Sequence, residues 1–424
     1  MNPMSVPLKS AVILAIGSEL LTSHKLDTNS LFLTEKLNAY GVVVRYKVVV
    51  GDDEDDLATA IRAAVSRADL VVTTGGLGPT DDDITRTGVA KAFGLTLYED
   101  LDMVSLIRKR FRSRGLKMPD LNRRQALVPE GAAILLNPRG TAPGLWIETG
   151  GVICLLLPGP PRELCPMFED VLRARIAERT AGHRMFRRVL TIVGRTESRV
   201  EELIRPVYLQ WRVAGRCIDT TILASLGQIE LHLSTRTDDA DRATRLLDTA
   251  TAELADVLGN SLTSMHGESL EFVVGRLLTS RRYRLALAES CTGGLVASRL
   301  TDVPGSSAYV QAGWVVYSNE AKIDLGVDAA VIEQYGAVSE PVALAMAVQA
   351  CRRGQADFGI GVTGIAGPSG GSSEKPIGTV SFGLAGPDGS IQAFTTRFLG
   401  ERDHVKFQAS QTALDMLRRE LQRV

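Results

Sequence analysis

The sequence predicts an α/β protein of about three domains, and three observations carry that reading. Short continuous runs of Val, Ile and Leu alternate with segments of helical periodicity, the mark of parallel strands covered on both faces. Glycine is in excess (40 residues) while aromatics make up only 5%, and the Gly-rich segments follow the apolar runs. The length of 424 residues, with 45% hydrophobic and 23% charged, allows about three cores at roughly 150 residues each.

The elements follow in order. Strands are expected at 11–17, 42–50 and 69–74, with helices at 29–40 and 54–67 between them. A further strand at 151–157 ends in Pro158-Gly159-Pro160-Pro161 and leads into a helix from about Arg162. This first block reads as doubly wound. The texture then changes to a small α+β insert. It has strands at 188–193 and 228–234 and helices at 196–204 and 239–258. In the second strand Ile229, Leu231 and Leu233 alternate inward. A third block is again α/β: helix 269–280, strand 284–288, helix 293–300, strand 311–317, helix 340–352, strands 358–362, 379–384 and 391–397, and a last helix 402–421. The expected domains are therefore 1–170, 171–260 and 261–424, with no solenoid repeat.

Charge and cysteine use exclude several classes. Forty-eight basic against 49 acidic residues give a net charge of -1, which leaves no field for wrapping nucleic acid. The densest basic run, Arg108 to Arg114, lies on a predicted helix and reads as a solvated face. Five scattered cysteines without CxxC spacing speak against a disulfide scaffold and for a reducing cytoplasm. No apolar run is long enough to span a bilayer. The five histidines are isolated, so none is expected to bind metal.

Two loops stand where α/β sheets bind ligands, at strand ends that open a helix. In the first, Gly75-Gly76-Leu77-Gly78-Pro79-Thr80-Asp81-Asp82-Asp83, the glycines permit close backbone approach to phosphate. Asp81, Asp82 and Asp83 there could hold a hard cation. An N-cap within a solvated acidic turn is the bland alternative. The second is Glu289-Ser290-Cys291-Thr292-Gly293-Gly294. It is followed by Tyr317-Ser318-Asn319-x-x-Lys322, which adds a phenol and an amine. A serine activated by a desolvated lysine is a nucleophile arrangement that needs no histidine. Cys291 is a rival nucleophile, and capping or helix packing would account for the same residues without chemistry. A third loop, 361–371, could carry backbone donors for a nucleotide phosphate.

The first loop, with Asp83 and Thr85, resembles the molybdopterin-binding fold family, and Ser18, Asp27, Asn29 and Asp52 fit that family's pocket rim. Together with the segments 137–144 and 158–163, the region resembles the N-terminal domain of the competence/damage-inducible CinA family. That resemblance implies an ADP-ribose pyrophosphatase dependent on a divalent cation (cobalt or magnesium). Gly75, Gly76, Gly78, Thr80, Asn29 and Ser18 would bind phosphate, and Asp81, Asp82 and Asp83 the metal. The middle block resembles the family's KH-like insert; it lacks the Gly-x-x-Gly loop of RNA-binding KH modules, so a structural role is expected.

In the third block, Glu-Ser-Cys-Thr-Gly-Gly, Tyr-Ser-Asn-x-x-Lys, Gly-Ala-Val-Ser-Glu-Pro, Gly-Ile-Ala-Gly-Pro and Glu-Lys-Pro-x-Gly-Thr occur in this order and resemble the nicotinamide-nucleotide amidases. The resemblance implies hydrolysis of nicotinamide mononucleotide (NMN) to nicotinate mononucleotide and ammonia without a metal. Ser290 would be the nucleophile, Lys322 its base and Tyr317 an assisting hydroxyl. Thr292, Gly293, Gly294, Thr363, Gly364, Thr379 and Arg402 would line the substrate site. The family expectation for assembly is a homodimer, and the partners are nucleotides rather than nucleic acid or membrane. An accessory binding protein for competence or DNA damage, without turnover, is the reading from another class.

Overall fold

The computed structural model describes residues 8–180 and 182–423. The chain forms two compact units, the first Met1–Phe186 with Thr235–Thr244 and the second Arg187–Ser234 with Arg245–Val424.

In the first unit the strands are β1 (Ser10–Ile16), β2 (Val43–Val50), β3 (Leu70–Thr74), β4 (Leu97–Glu99), β5 (Leu127–Pro129), β6 (Ala133–Leu135), β7 (Gly144–Thr149) and β8 (Val152–Leu157). The helices are α1 (Thr28–Ala39), α2 (Glu54–Val65), α3 (Thr85–Phe93), α4 (Leu101–Ser113) and α5 (Pro161–Val171). A six-stranded sheet has the order β2-β1-β3-β8-β7-β6, with β1, β2, β3 and β8 parallel. β1 and β3 are buried at every residue, as their unbroken apolar runs predict. One face packs Ile13, Val72 and Leu155 against Leu33 of α1 and Phe168 of α5. The other packs Leu14, Val71 and Leu156 against Leu57 of α2 and Val89 of α3. The result is the expected three-layer α/β arrangement. β7 and β6 add an antiparallel edge, because Gly150 and Gly151 (φ +58° and +80°) turn the chain directly from Thr149 to Val152.

The second unit contains β10 (Asp219–Ser225), β12 (Leu262–Ser264) and most of β9 (Arg184–Ile192) and β11 (Gln228–Thr237), in a four-stranded sheet of order β10-β11-β9-β12. The helices α6 (Glu197–Val213) and α7 (Ala240–Leu258) follow β9 and β11. Ile229, Leu231 and Leu233 are buried in alternation, as read from the sequence. Two features depart from that reading. α6 does not stop at 204 but continues through Pro206, its later turns held by buried Trp211. β10 also went unread, since an exposed edge strand carries little apolar signal.

A five-stranded sheet completes this unit, in the order β14-β13-β15-β16-β17. Its strands are β13 (Leu285–Glu289), β14 (Val310–Val315), β15 (Phe358–Gly364), β16 (Thr379–Ala385) and β17 (Ile391–Arg397). The helices are α8 (Leu270–Arg281), α9 (Leu295–Thr301), α10 (Asn319–Leu325), α11 (Ala329–Tyr335), α12 (Glu340–Gly354) and α13 (Arg402–Arg423). Short α10 and α11 are capped by Ser318 and Asp328 and are too brief to announce themselves by periodicity. Val193 belongs to the same buried cluster as Leu270 and Leu417, so the strand β9 runs straight into this core. Among the described residues no two cysteines are joined by a disulfide. Among the described residues no helix is long and apolar enough to cross a membrane.

Candidate functional site

β13, paired on both sides by β14 and β15, delivers Ser290 just past its carboxyl end. The Ser290 amide donates to Val362 O at 2.8 Å, extending the strand pairing by one residue. The chain then turns tightly, with Gly293 N donating to Ser290 O at 3.0 Å and positive φ at Gly293 (+63°) and Gly294 (+89°). Only glycine takes two such φ values in succession at little cost. Glu289 braces the turn. Its buried carboxylate accepts hydrogen bonds from Val296 N (3.1 Å) and Ala297 N (2.8 Å), the first free amides of α9.

Lys322, 32 residues further on, comes to Ser290 from α10. Its Nζ lies 3.2 Å from Ser290 Oγ and donates to Val316 O at 3.0 Å and Tyr317 O at 3.3 Å, with Ser318 O at 3.4 Å. The side chain is only 2% exposed, and no carboxylate pairs with it among the described residues. Burial therefore lowers its pKa below that of an ordinary lysine. A neutral amine would give its two N–H groups to the carbonyls and keep a lone pair for the serine hydroxyl. Cys291 is buried, and that burial pushes its thiol up to about 12. Its thiolate is scarce at neutral pH, which weighs against the rival nucleophile.

The other residues read from sequence have more varied placements. Thr292 is fully buried and its Oγ1 has no hydrogen-bond partner. Tyr317 is 60% exposed, and its hydroxyl accepts from Arg402 Nη2 at 2.8 Å. Arg402 Nη1 donates to Gly367 O at 2.8 Å, which joins the 361–371 loop to α13. Thr363 Oγ1 donates to Ala337 O (2.8 Å), tying β15 to the segment between α11 and α12, and Thr379 Oγ1 donates to Pro376 O (2.7 Å) within its own turn. Gly364 pairs with Val380, where a Cβ would fall 2.7 Å from the valine side chain.

In the first unit the loop after β3 borders a cavity of about 590 Å³. Gly75 (φ +102°) passes so close to β1 that a Cβ would sit 2.3 Å from Ile16 O. Thr85 Oγ1 donates to Gly75 O at 2.7 Å and locks the loop to α3. Gly75, Gly76, Gly78 and Asn29 all line the cavity. Asn29 Nδ2 bridges Thr74 Oγ1 (2.9 Å) and Gly159 O (2.7 Å), while its buried Oδ1 has no partner. Ser18 instead exchanges hydrogen bonds with Asp52, giving its amide at 2.9 Å and receiving Asp52 N on Oγ at 3.0 Å.

The Asp81–Asp82–Asp83 set does not converge as a metal site. Asp83 folds back, accepting from Gly78 N (2.6 Å), Thr80 N (2.8 Å) and Thr80 Oγ1 (2.6 Å), so Thr80 is part of the same internal brace. Asp81 pairs with Arg124 away from the cavity. Of the three, Asp82 and Asp83 border the cavity; Asp81 is held by Arg124 and Asp83 by Gly78 and Thr80, while the Asp82 carboxylate makes no side-chain hydrogen bond among the described residues. Among the described residues no group of three or more His, Cys, Asp or Glu is placed to hold a metal ion. Sequence reasoning missed Glu19, held in its ionised form by Lys25 and opposed by nearby Asp82. It also passed over Arg86, buried on α3, whose Nη2 donates to Leu77 O at 2.9 Å and whose guanidinium burial lowers to about 10. Neither residue has a motif of its own; only the fold brings them to the loop.

Comparison with known proteins fits this two-part layout. Residues 12–178 match the family described as probable molybdopterin binding domain, and residues 267–421 match the CinA C-terminal domain family. A CinA-like protein of Koribacter versatilis is 44% identical over 97% of this chain and 99% of its own length. Another, of Solibacter usitatus, is 42% identical over 97% and 98%. Among solved structures, the CinA protein of unknown function from Thermoplasma acidophilum is 36% identical, covering 39% of this chain and 97% of its own at a TM-score of 0.37. The competence/damage inducible protein CihA from Agrobacterium tumefaciens is 39% identical, covering 37% and 97%, with a TM-score of 0.35.

Proposed function

The chain belongs to the CinA family, and from that premise we propose that its second unit is an amidase acting on nicotinamide mononucleotide. The observation that carries this reading is the buried Lys322 amine 3.2 Å from Ser290 Oγ, without a carboxylate partner. Lys322 takes the serine proton as Ser290 Oγ attacks the carboxamide carbon. The resulting tetrahedral oxyanion collapses, the C–N bond breaks and Lys322 returns the proton to departing ammonia. Water then attacks the acyl-serine by the same base and releases the nicotinate product. Ser290 N and Gly293 N are already engaged, so the amides of Cys291, Thr292 and Gly294 in the same turn are the candidate donors for the oxyanion.

The first unit is read as an ADP-ribose pyrophosphatase, favoured by the glycine loop on a cavity of nucleotide size. Glu19, Asp27, Asp52, Asp82, Asp83 and Glu163 line that cavity against Lys25 alone. A diphosphate would enter such an acidic rim with compensating positive charge, and a divalent cation accompanying the substrate is the expected source. The three adjacent aspartates do not form its ligand set.

The test is ammonia release from NMN by the purified full-length chain. Turnover by the unaltered protein and none by Ser290→Ala is the expected outcome. No turnover, combined with salt-sensitive binding to single-stranded DNA, would favour an accessory binding role instead.

A further inference from the structure

We propose that Lys406 is the residue that holds the substrate's phosphate, which makes the second unit an amidase for nucleotides over nucleosides. This rests on the amidase reading above. Lys406 lies on α13 one turn beyond Arg402, so the two side chains share a helix face. Arg402 fixes that face at the site through Gly367 O and the Tyr317 hydroxyl, both at 2.8 Å. The Lys406 ammonium stands 3.7 Å from the point where a Cβ on Gly293 would lie, directly over the nucleophile turn.

Three other basic side chains of this unit, Lys322, Lys375 and Arg402, are already engaged. Lys322 faces three carbonyls and Ser290, Lys375 Nζ donates to Tyr335 O at 2.8 Å, and Arg402 has both terminal nitrogens bound. Lys406 is half-buried and has no hydrogen-bond or ion-pair partner for its ammonium among the described residues. A partly desolvated cation without a partner lowers its free energy by taking an anion. Gly293 N bonds Ser290 O at 3.0 Å, so the cation and the nucleophile flank a single turn. One small molecule with an amide at one end and a phosphate at the other can meet both. A compact ammonium suits a phosphate monoester as a point charge.

The experiment compares full-length Lys406→Met and Lys406→Arg on NMN and on nicotinamide riboside, the same amide without phosphate. Lys406→Met is expected to raise KM for NMN about tenfold or more with a smaller change in kcat, and to cut the NMN-over-riboside ratio of kcat/KM by a similar factor. Lys406→Arg should restore most of that preference. Equal losses on both substrates, or an unchanged KM for NMN, overturn the proposal. Calorimetric binding of both compounds to Ser290→Ala, with and without Lys406→Met, separates this question from turnover. If the unaltered chain hydrolyses neither compound, the amidase reading fails. Lys406 keeps its role only if NMN still binds more tightly than the riboside and Lys406→Met removes that preference.

Discussion

Each unit ends a buried parallel strand in a glycine turn and starts a helix just beyond it, yet different side chains reach the two turns. After β3 the turn is braced from within by Asp83 and opens onto a wide cavity rimmed by carboxylates. After β13 the brace is Glu289, which caps α9, and the group facing the turn is a buried lysine beside a serine. The shared geometry supplies exposed backbone and a place to bind. What the neighbouring elements bring differs: a carboxylate-rich cavity rim in one unit, a serine beside a buried lysine in the other.

The largest effect is expected from removing the base. Lys322→Met should lower the proposed amide hydrolysis by about 10³-fold or more while leaving any ADP-ribose hydrolysis by the first unit unchanged. Burial lowers the Lys322 pKa, so its base form appears at lower pH than for a free lysine. Activity should rise as pH increases through that lowered value and then level off. Lys322→Arg, cationic throughout, should show no such rise. A kcat profile flat across this range would break the assignment of Lys322 as base.

Next comes the backbone of the first turn. Gly75→Ala would force a Cβ to within 2.3 Å of Ile16 O at a φ of +102°. It should destabilise the first unit by about 2–4 kcal/mol in denaturant unfolding, from steric conflict and the disfavoured φ together. Hydrolysis of NMN would be spared if the units act separately. Smaller effects should distinguish the neighbouring aspartates. Asp83→Asn disturbs three donors and should cost about 1–3 kcal/mol of stability. Asp82→Asn, with no side-chain hydrogen bond to lose, should leave stability within about 0.5 kcal/mol and reduce ADP-ribose turnover. Equal effects on stability would erase the distinction drawn here between brace and rim.

Much of this architecture was legible in the sequence because burial on both faces of a parallel strand demands unbroken apolar runs. β1, β3, β13 and β15 all announced themselves that way, and both glycine turns lie at their ends. Ser290 and Lys322 were also legible as residue types, but their approach across 32 positions depends on how α10 leaves β14. What stayed hidden was side-chain direction. Asp81, Asp82 and Asp83 look equivalent in a row, yet Arg124, the open cavity and the Gly78–Thr80 donors pull them three ways. Nor does the sequence show that the Thr363 and Thr379 hydroxyls donate to backbone carbonyls.

The smallest expected effect falls on Cys291, and it sharpens the contrast between a residue beside the chemistry and one performing it. Cys291 sits next to Ser290, the proposed nucleophile, and a thiol is intrinsically the better nucleophile of the two. Its burial argues otherwise: a thiol pushed up to about 12 supplies almost no thiolate at neutral pH, whereas Ser290 has a lysine within 3.2 Å. Cys291→Ala removes only a small buried volume and should change NMN hydrolysis by less than about threefold, with a stability loss of about 1 kcal/mol. Retained activity in Cys291→Ala together with its loss in Ser290→Ala would fix the nucleophile. The opposite pair would transfer it to the thiol and require Lys322 to serve sulfur in place of oxygen.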